Sequence, residues 1–170
     1  MSCRRVLRIA QKRIVYGYRR VMIVLPVTLN LPMKVIVGAA MTSQEGWYST
    51  NEQWLDITNK HDWDKIFLKK RLITHVVAEH VFEHLTHAEC QKALRLINYH
   101  MMDGGRIRIA VPDGYNPDST YISHVGISGI GADASDHKQL LNKDSLSALL
   151  KESGFNPKLL EGYDRNGSHK

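Results

Sequence analysis

The first 32 positions of this 170-residue chain contain no acidic residue, yet seven of its 23 lysines and arginines lie there: Arg4, Arg5, Arg8, Lys12, Arg13, Arg19 and Arg20. That leaves 16 basic residues against 17 acidic ones in the remainder, a net of −1, so the formal charge of +6 belongs to the N-terminal extension. A near-neutral body carries no electrostatic footprint for nucleic acid, and none is expected to bind it. Long apolar runs are also missing. No segment reaches the roughly 18–20 apolar residues of a membrane span. The stretch VMIVLPVTLNLP is broken by Pro26 and Asn30, which argues against a secretory leader. Cysteine is scarce: Cys3 and Cys90 make no disulfide framework, so a reducing cytoplasm is the expected compartment. There are no internal repeats, no low-complexity tracts and no G-x-G-x-x-G fingerprint.

What is present is an ordinary globular composition, 43% hydrophobic and 24% charged, in a length suited to one domain. The expected organisation is a basic extension over 1–32 and an α/β domain over 33–170. Within the extension, Val6–Tyr18 reads as a basic helix and Val21–Val27 as a strand or short apolar contact. The extension is expected to be a solvated or loosely docked arm. Arginines beside apolar residues would also suit weak contact with an anionic surface.

From Met33 onward, strand and helix signals alternate. Lys34–Val37 is a buried-type strand followed by the small-residue turn Gly38-Ala39-Ala40. Trp47–Thr50 is a second short strand, and Asp56–Phe67 becomes helical after a cap at Thr58 or Asn59. Ile73–Ala78 is a β-branched strand, and Thr86–Met102 a helix with Ala93, Leu94, Ile97 and Met101 on one stripe. Gly104-Gly105 is read as its stop, before a strand over Arg106–Val111. Gly114–Asp136 is a long polar loop, Leu140–Gly154 a final helix, and Pro157–Glu161 a final strand. Alternation with short turns points to a mostly parallel sheet, which takes ligands beyond its strand carboxyl ends.

Three clusters could carry chemistry at those ends. The turn at Gly38 lets a ligand approach the backbone. Asn51, Glu52 and Asp56 follow the second strand, where a carboxylate or amide can hold a ribose diol. Glu79, His80, Glu83 and His84 crowd the joint after the third strand. His80, Glu83 and His84 spell H-x-x-E-H, the inverted zinc-protease motif, which requires the motif to lie inside a helix. A strand running straight into His80 argues against that, and no metal site is assigned. Asp136-His137-Lys138 forms a fourth polar group that could bring an imidazole over a pocket.

Taken together, KVIVGAAMTSQEGWYST, LDIT, AEHVFEHL, DGGRIRIAVPDGY, the DHK triplet and SGFNPKLLEGYD resemble a family of predicted S-adenosylmethionine-dependent methyltransferases, small Rossmann-like proteins of bacteria and their phages. The resemblance spans about Lys34 to Asp164. It implies a seven-stranded sheet with helices on both faces, here lacking its last strand because the chain stops after GYD. It implies S-adenosylmethionine as cofactor, with Gly38, Ala39 and Ala40 under its methionine part, Asn51 or Glu52 on the ribose and Asp56-Ile57 beside the adenine. Glu79 and His80 would stand near the transferring methyl, with His80 as base and Asp113 and His137 as lesser catalytic candidates. The acceptor would be a small molecule or a carbohydrate; oligomeric state is left open. Ala39 and Ala40 stand where such enzymes commonly carry glycine, so the alternatives are a degenerate non-catalytic relative or a zinc hydrolase built on His80, Glu83 and His84.

Overall fold

The computed structural model describes residues 3–132 and 134–170; the side chains of residues 3–10, 12 and 13 lie outside that description. The chain is α/β, with a four-stranded, all-parallel sheet flanked by helices, compatible with a Rossmann-like fold. In chain order it runs α1 (Cys3–Thr28), β1 (Met33–Val37), β2 (Tyr48–Ser49), α2 (Lys60–Phe67), β3 (Ile73–Glu79), a 3-10 turn (Phe82–His84), α3 (His87–His100), β4 (Met101–Ala110), α4 (Ser119–Val125), a second 3-10 turn (Ala134–Asp136) and α5 (Lys143–Glu152). Contacts divide it into two compact units. One holds the chain up to Ala78 together with Tyr99–Arg108; the other holds Glu79–Asn98 and Ile109–Lys170.

The strand order is β2-β1-β3-β4. Sequence order therefore reverses between β1 and β3, the position where doubly wound sheets place their ligands. β1 pairs parallel with β3 in a register that sets Val35 beside Val76 and Val37 beside Ala78. β-branched residues suit this place because their stiff side chains pack well on a pleated surface covered on both faces. Val35, Val37, Ile73 and Val76 are almost completely buried. At the start of β4 the chain comes close to β3. A side chain at Gly105 would press to 2.8 Å from Met101 Cε, 2.9 Å from the Met102 carbonyl and 3.3 Å from the Ile73 carbonyl. The glycine pair is thus part of β4 and not the stop of α3, which ends at His100 and turns directly into the strand.

Several other expectations are corrected. Val21–Val27 is not a strand but the end of α1, and its apolar contact is made by the buried Ile23 and Val27, so this part of the extension is not loosely docked. This helix lies against α2 and β2, so the end of the extension belongs to the core of the first unit. Cys3 and the five cations Arg4, Arg5, Arg8, Lys12 and Arg13 have side chains outside the described residues. Pro157–Glu161 forms no strand; its residues are mostly exposed, and beyond it there is an isolated bridge between Tyr163 and His169. Among the described residues the sheet has four strands, not seven. The long polar loop contains α4, capped by Asp118, whose side chain accepts from the Thr120 N–H.

Local caps explain the helix starts. Asn59 caps α2 by accepting from the His61 N–H. Thr86 and Glu89 form a reciprocal box at the start of α3: Glu89 Oε2 accepts from the Thr86 N–H at 2.7 Å, and Thr86 Oγ1 from the Glu89 N–H at 3.3 Å. Those bonds, with Lys138 beside it, hold the Glu89 carboxyl down to about 2. Asn142 and Ser145 make a similar box for α5.

In the first unit α2 is fixed by an aromatic stack. Trp63 lies over Phe67 and His100, with ring centroids 5.3 Å apart in both cases. His100 is fully buried, and its Nδ1 donates to the Lys70 carbonyl at 3.2 Å. Burial depresses its pKa below the ordinary 6.5, the Lys70 bond opposing only in part. The unfolded chain therefore takes up a proton as pH falls through 6.5 while the folded chain does not. Stability is complete above that value and is lost progressively on acidification toward the depressed folded value. We predict that the thermal midpoint falls between pH 7.5 and pH 5, and that His100→Phe flattens this slope in a pH series of melts; an unchanged slope in the variant would exclude His100 as its source.

Candidate functional site

The candidate residues fall into two groups, one in each unit. The first lies at the carboxyl ends of β1 and β2. Gly38 has a left-handed backbone, φ +63°, which a residue without Cβ adopts freely, and Ala40 follows at φ +44°. The bend is tied down from three sides. The buried Ala39 donates its N–H to the Thr50 carbonyl at 2.9 Å. Ser49 Oγ donates to the Thr42 carbonyl at 3.0 Å. Arg19 of α1 donates to the carbonyls of Ala40, Met41 and Thr42 at 2.8, 3.2 and 2.8 Å. At least one cation of the extension is therefore engaged with its own chain.

Beyond β2, Asn51 is 3% exposed and its amide nitrogen has no acceptor. The backbone carbonyl of Asn51 accepts the N–H groups of Trp54 and Leu55, which fixes the following turn. The Trp54 indole N–H is likewise buried without a partner. Glu52 is exposed. Asp56 Oδ1 accepts from the backbone and hydroxyl of Thr58 at 2.8 and 2.7 Å. Ile57 is buried, and its carbonyl accepts from the Trp63 indole at 2.9 Å. These residues thus share the turn that leads into α2, with unsatisfied donors at its start.

The second group surrounds the 3-10 turn Phe82–His84. Glu79 closes β3 with its side chain exposed. His80 takes a left-handed backbone, φ +52°, and donates its N–H to the Ala110 carbonyl at 3.0 Å, which joins the ends of β3 and β4. Its ring is 74% exposed and its Nδ1 stands 3.0 Å from Glu83 Oε1. Because a carboxylate accepts, this bond places the proton on Nδ1 and the lone pair on Nε2. Glu83 itself is 1% exposed, and its second oxygen, Oε2, has no hydrogen-bond partner.

The inverted zinc-protease reading fails on this geometry. His80 terminates a strand and Glu83 and His84 lie on a single 3-10 turn, so the two imidazoles are not successive rungs of one helix. The partner of His84 is instead His137, their rings meeting edge to face with centroids 4.7 Å apart. One donor atom each from Glu83, His84 and His137 lies within 4.8 Å of the other two.

Asp113 has a fastening role. Its Oδ1 accepts from the Tyr115 N–H at 2.9 Å, and its Oδ2 from the Tyr163 N–H at 2.7 Å, holding the C-terminal segment to the loop after β4. Cys90, fully buried on α3, is pushed up to about 11 chiefly by burial and is no nucleophile at neutral pH. No protein-family model matches this chain, and comparison with curated proteins finds no relative. No helix is long and apolar enough to cross a membrane among the described residues.

Asp113→Ala leaves two backbone donors without acceptors, a loss of about 1–3 kcal/mol by the usual cost of such groups. The expected result is a lower denaturation midpoint and faster proteolytic cleavage beyond Leu159, with the fold retained.

Proposed function

We propose that this chain is an S-adenosylmethionine-dependent methyltransferase acting on a small-molecule or carbohydrate acceptor, in keeping with its resemblance to that family. The observation that carries the reading is the buried, acceptor-less amide of Asn51 just beyond β2. A ribose hydroxyl oxygen is a fitting acceptor for such a donor, and Glu52 alongside could accept from the diol. Gly38, Ala39 and Ala40 would carry the methionine part, and Asp56-Ile57 would flank the adenine. A cytoplasmic setting without nucleic acid goes with this reading.

When bound, the cofactor supplies an electrophilic methyl group. The protein's share is to hold donor and acceptor in line and to take the proton that the acceptor loses. His80 is suited to the second task, since Glu83 orients its exposed ring through Nδ1, and Nε2 would then receive the proton. Glu79 would position the acceptor beside it.

A second reading, a degenerate relative that keeps the sheet without binding cofactor, draws on the bend itself. Its Ala39 N–H is already bonded to Thr50, and Arg19 already occupies its carbonyls. Calorimetric titration with S-adenosylhomocysteine separates the two. Micromolar binding is expected for the native chain, lost in Gly38→Val, where a β-branched residue is forced into a left-handed backbone. Asn51→Leu should weaken it about tenfold or more, the scale of one buried hydrogen bond. Absence of heat with the folded native chain would decide for the degenerate relative.

For the base, His80→Ala should keep cofactor affinity while transfer of labelled methyl to pooled small-molecule and sugar acceptors falls about 10²–10⁴-fold, the range of general base catalysis. Full transfer by the variant would remove His80 from that role.

A further inference from the structure

We infer that Glu83, His84 and His137 form a binding site for a first-row divalent cation, zinc above all. The site does not rest on the methyltransferase reading, although the two share Glu83, and it lies wholly within the second unit. Three features of the side chains point to it.

The first is Glu83. Its carboxylate is 1% exposed, one oxygen is bonded to His80, and the other is buried with no donor. A buried carboxylate oxygen without a partner is costly, and a cation held at that carboxylate offsets the cost.

The second is His137, 8% exposed, whose Nδ1 stands 2.8 Å from the Val125 carbonyl. A carbonyl only accepts, so the proton sits on Nδ1 and the lone pair on Nε2. Fixing the tautomer through a backbone carbonyl in this way is the usual support for a metal-ligating histidine. The third is His84. Its Nδ1 is buried and lies 3.1 Å from Asp136 Oδ1, near enough for an ion pair but without hydrogen-bond alignment.

The two chain segments that bring these residues together are held by other bonds, so the donors are gathered before any ion arrives. The Glu83 carbonyl accepts from the Lys138 N–H at 2.8 Å. Gln139 Nε2 reaches the carbonyls of Phe82 and Leu85 at 3.2 and 2.8 Å. The three donor atoms lie within 4.8 Å of one another. Atoms bound tetrahedrally to one zinc at about 2.0–2.2 Å stand roughly 3.3–3.6 Å apart, so loading requires side-chain contraction of about an ångström.

Donor chemistry selects the ion. Two imidazoles and one carboxylate are a borderline nitrogen–oxygen set, which suits zinc and its neighbours, whereas calcium and magnesium need oxygen ligands. Neutral imidazoles and one carboxylate leave the bound ion with a net charge of +1 and a fourth position for water or an acceptor oxygen.

The test uses the full chain, stripped with a chelator and titrated with zinc chloride against a chromophoric competitor, with cobalt(II) absorption as a second readout. One zinc per chain at submicromolar Kd and the visible bands of tetrahedral cobalt are expected. Glu83→Gln and His137→Gln should each weaken zinc at least about a hundredfold, beyond what loss of an outer-shell partner causes. His75→Gln, an exposed histidine of β3, should leave affinity unchanged. Failure of the native chain to bind zinc stoichiometrically, or equal binding by both site variants, overturns the proposal. Should either variant not fold by circular dichroism, the native cobalt spectrum decides, and featureless absorption in the visible overturns it too.

Discussion

The parallel pairing of β1 with β3 is the constraint from which the rest of the structure follows. A parallel pair cannot be closed by a tight turn, so the chain must leave the sheet and return between them. It does so through β2 and α2, and the return is secured by the Trp63–Phe67–His100 stack. The same register brings the two strands to a common level, Val37 beside Ala78. What each strand does next is dictated by how its backbone escapes the ladder. β1 escapes through the left-handed bend at Gly38, β3 through the left-handed His80. A glycine adopts that conformation freely; a histidine does so at a cost and needs surrounding bonds to hold it. The Ala110 carbonyl and the Glu83 carboxylate provide them.

Buried polar atoms without partners are uneven evidence, and comparing them shows why. His100 Nε2 is one, but a neutral imidazole lone pair among aromatic rings carries little charge, and its presence is explained by the stack. The amide of Asn51 stands just beyond a strand's carboxyl end, where a doubly wound sheet takes ligands, and there the proposed ribose would meet it. The oxygen of Glu83 is the extreme case, because a charge is harder to bury than a dipole. Burial alone would have ranked these three together; the charge and the neighbours separate them.

Much of this was legible in the sequence. The runs at Val35–Val37 and Ile73–Ala78 are β-branched and bounded by small or polar residues, and the cap at Asn59, one of two candidates, follows from a short polar side chain ahead of apolar periodicity. Less legible was the end of α1. Pro26 reads as a breaker because it has no N–H for the Met22 carbonyl, yet α1 runs on to Thr28 with Ile23 and Val27 buried, so tertiary packing overrides the local signal. The glycine pair at 104–105 looked like a stop because glycine signals helix ends more often than close strand approach. Seven strands were an inheritance of the family resemblance and not of the residues. The meeting of His137 with His84 had no local signal at all. It depends on a turn at Ala134 and on backbone bonds from Lys138 and Gln139, and such long-range contacts have no period to read.

Glu83 links the chemistry of its unit because its two oxygens face different duties. Oε1 orients the exposed imidazole of His80, and the same carboxylate offers a donor atom to the His84–His137 pair. One desolvated carboxylate thus serves both partners without motion of the backbone, and its burial makes the field it exerts on each stronger than it would be in water.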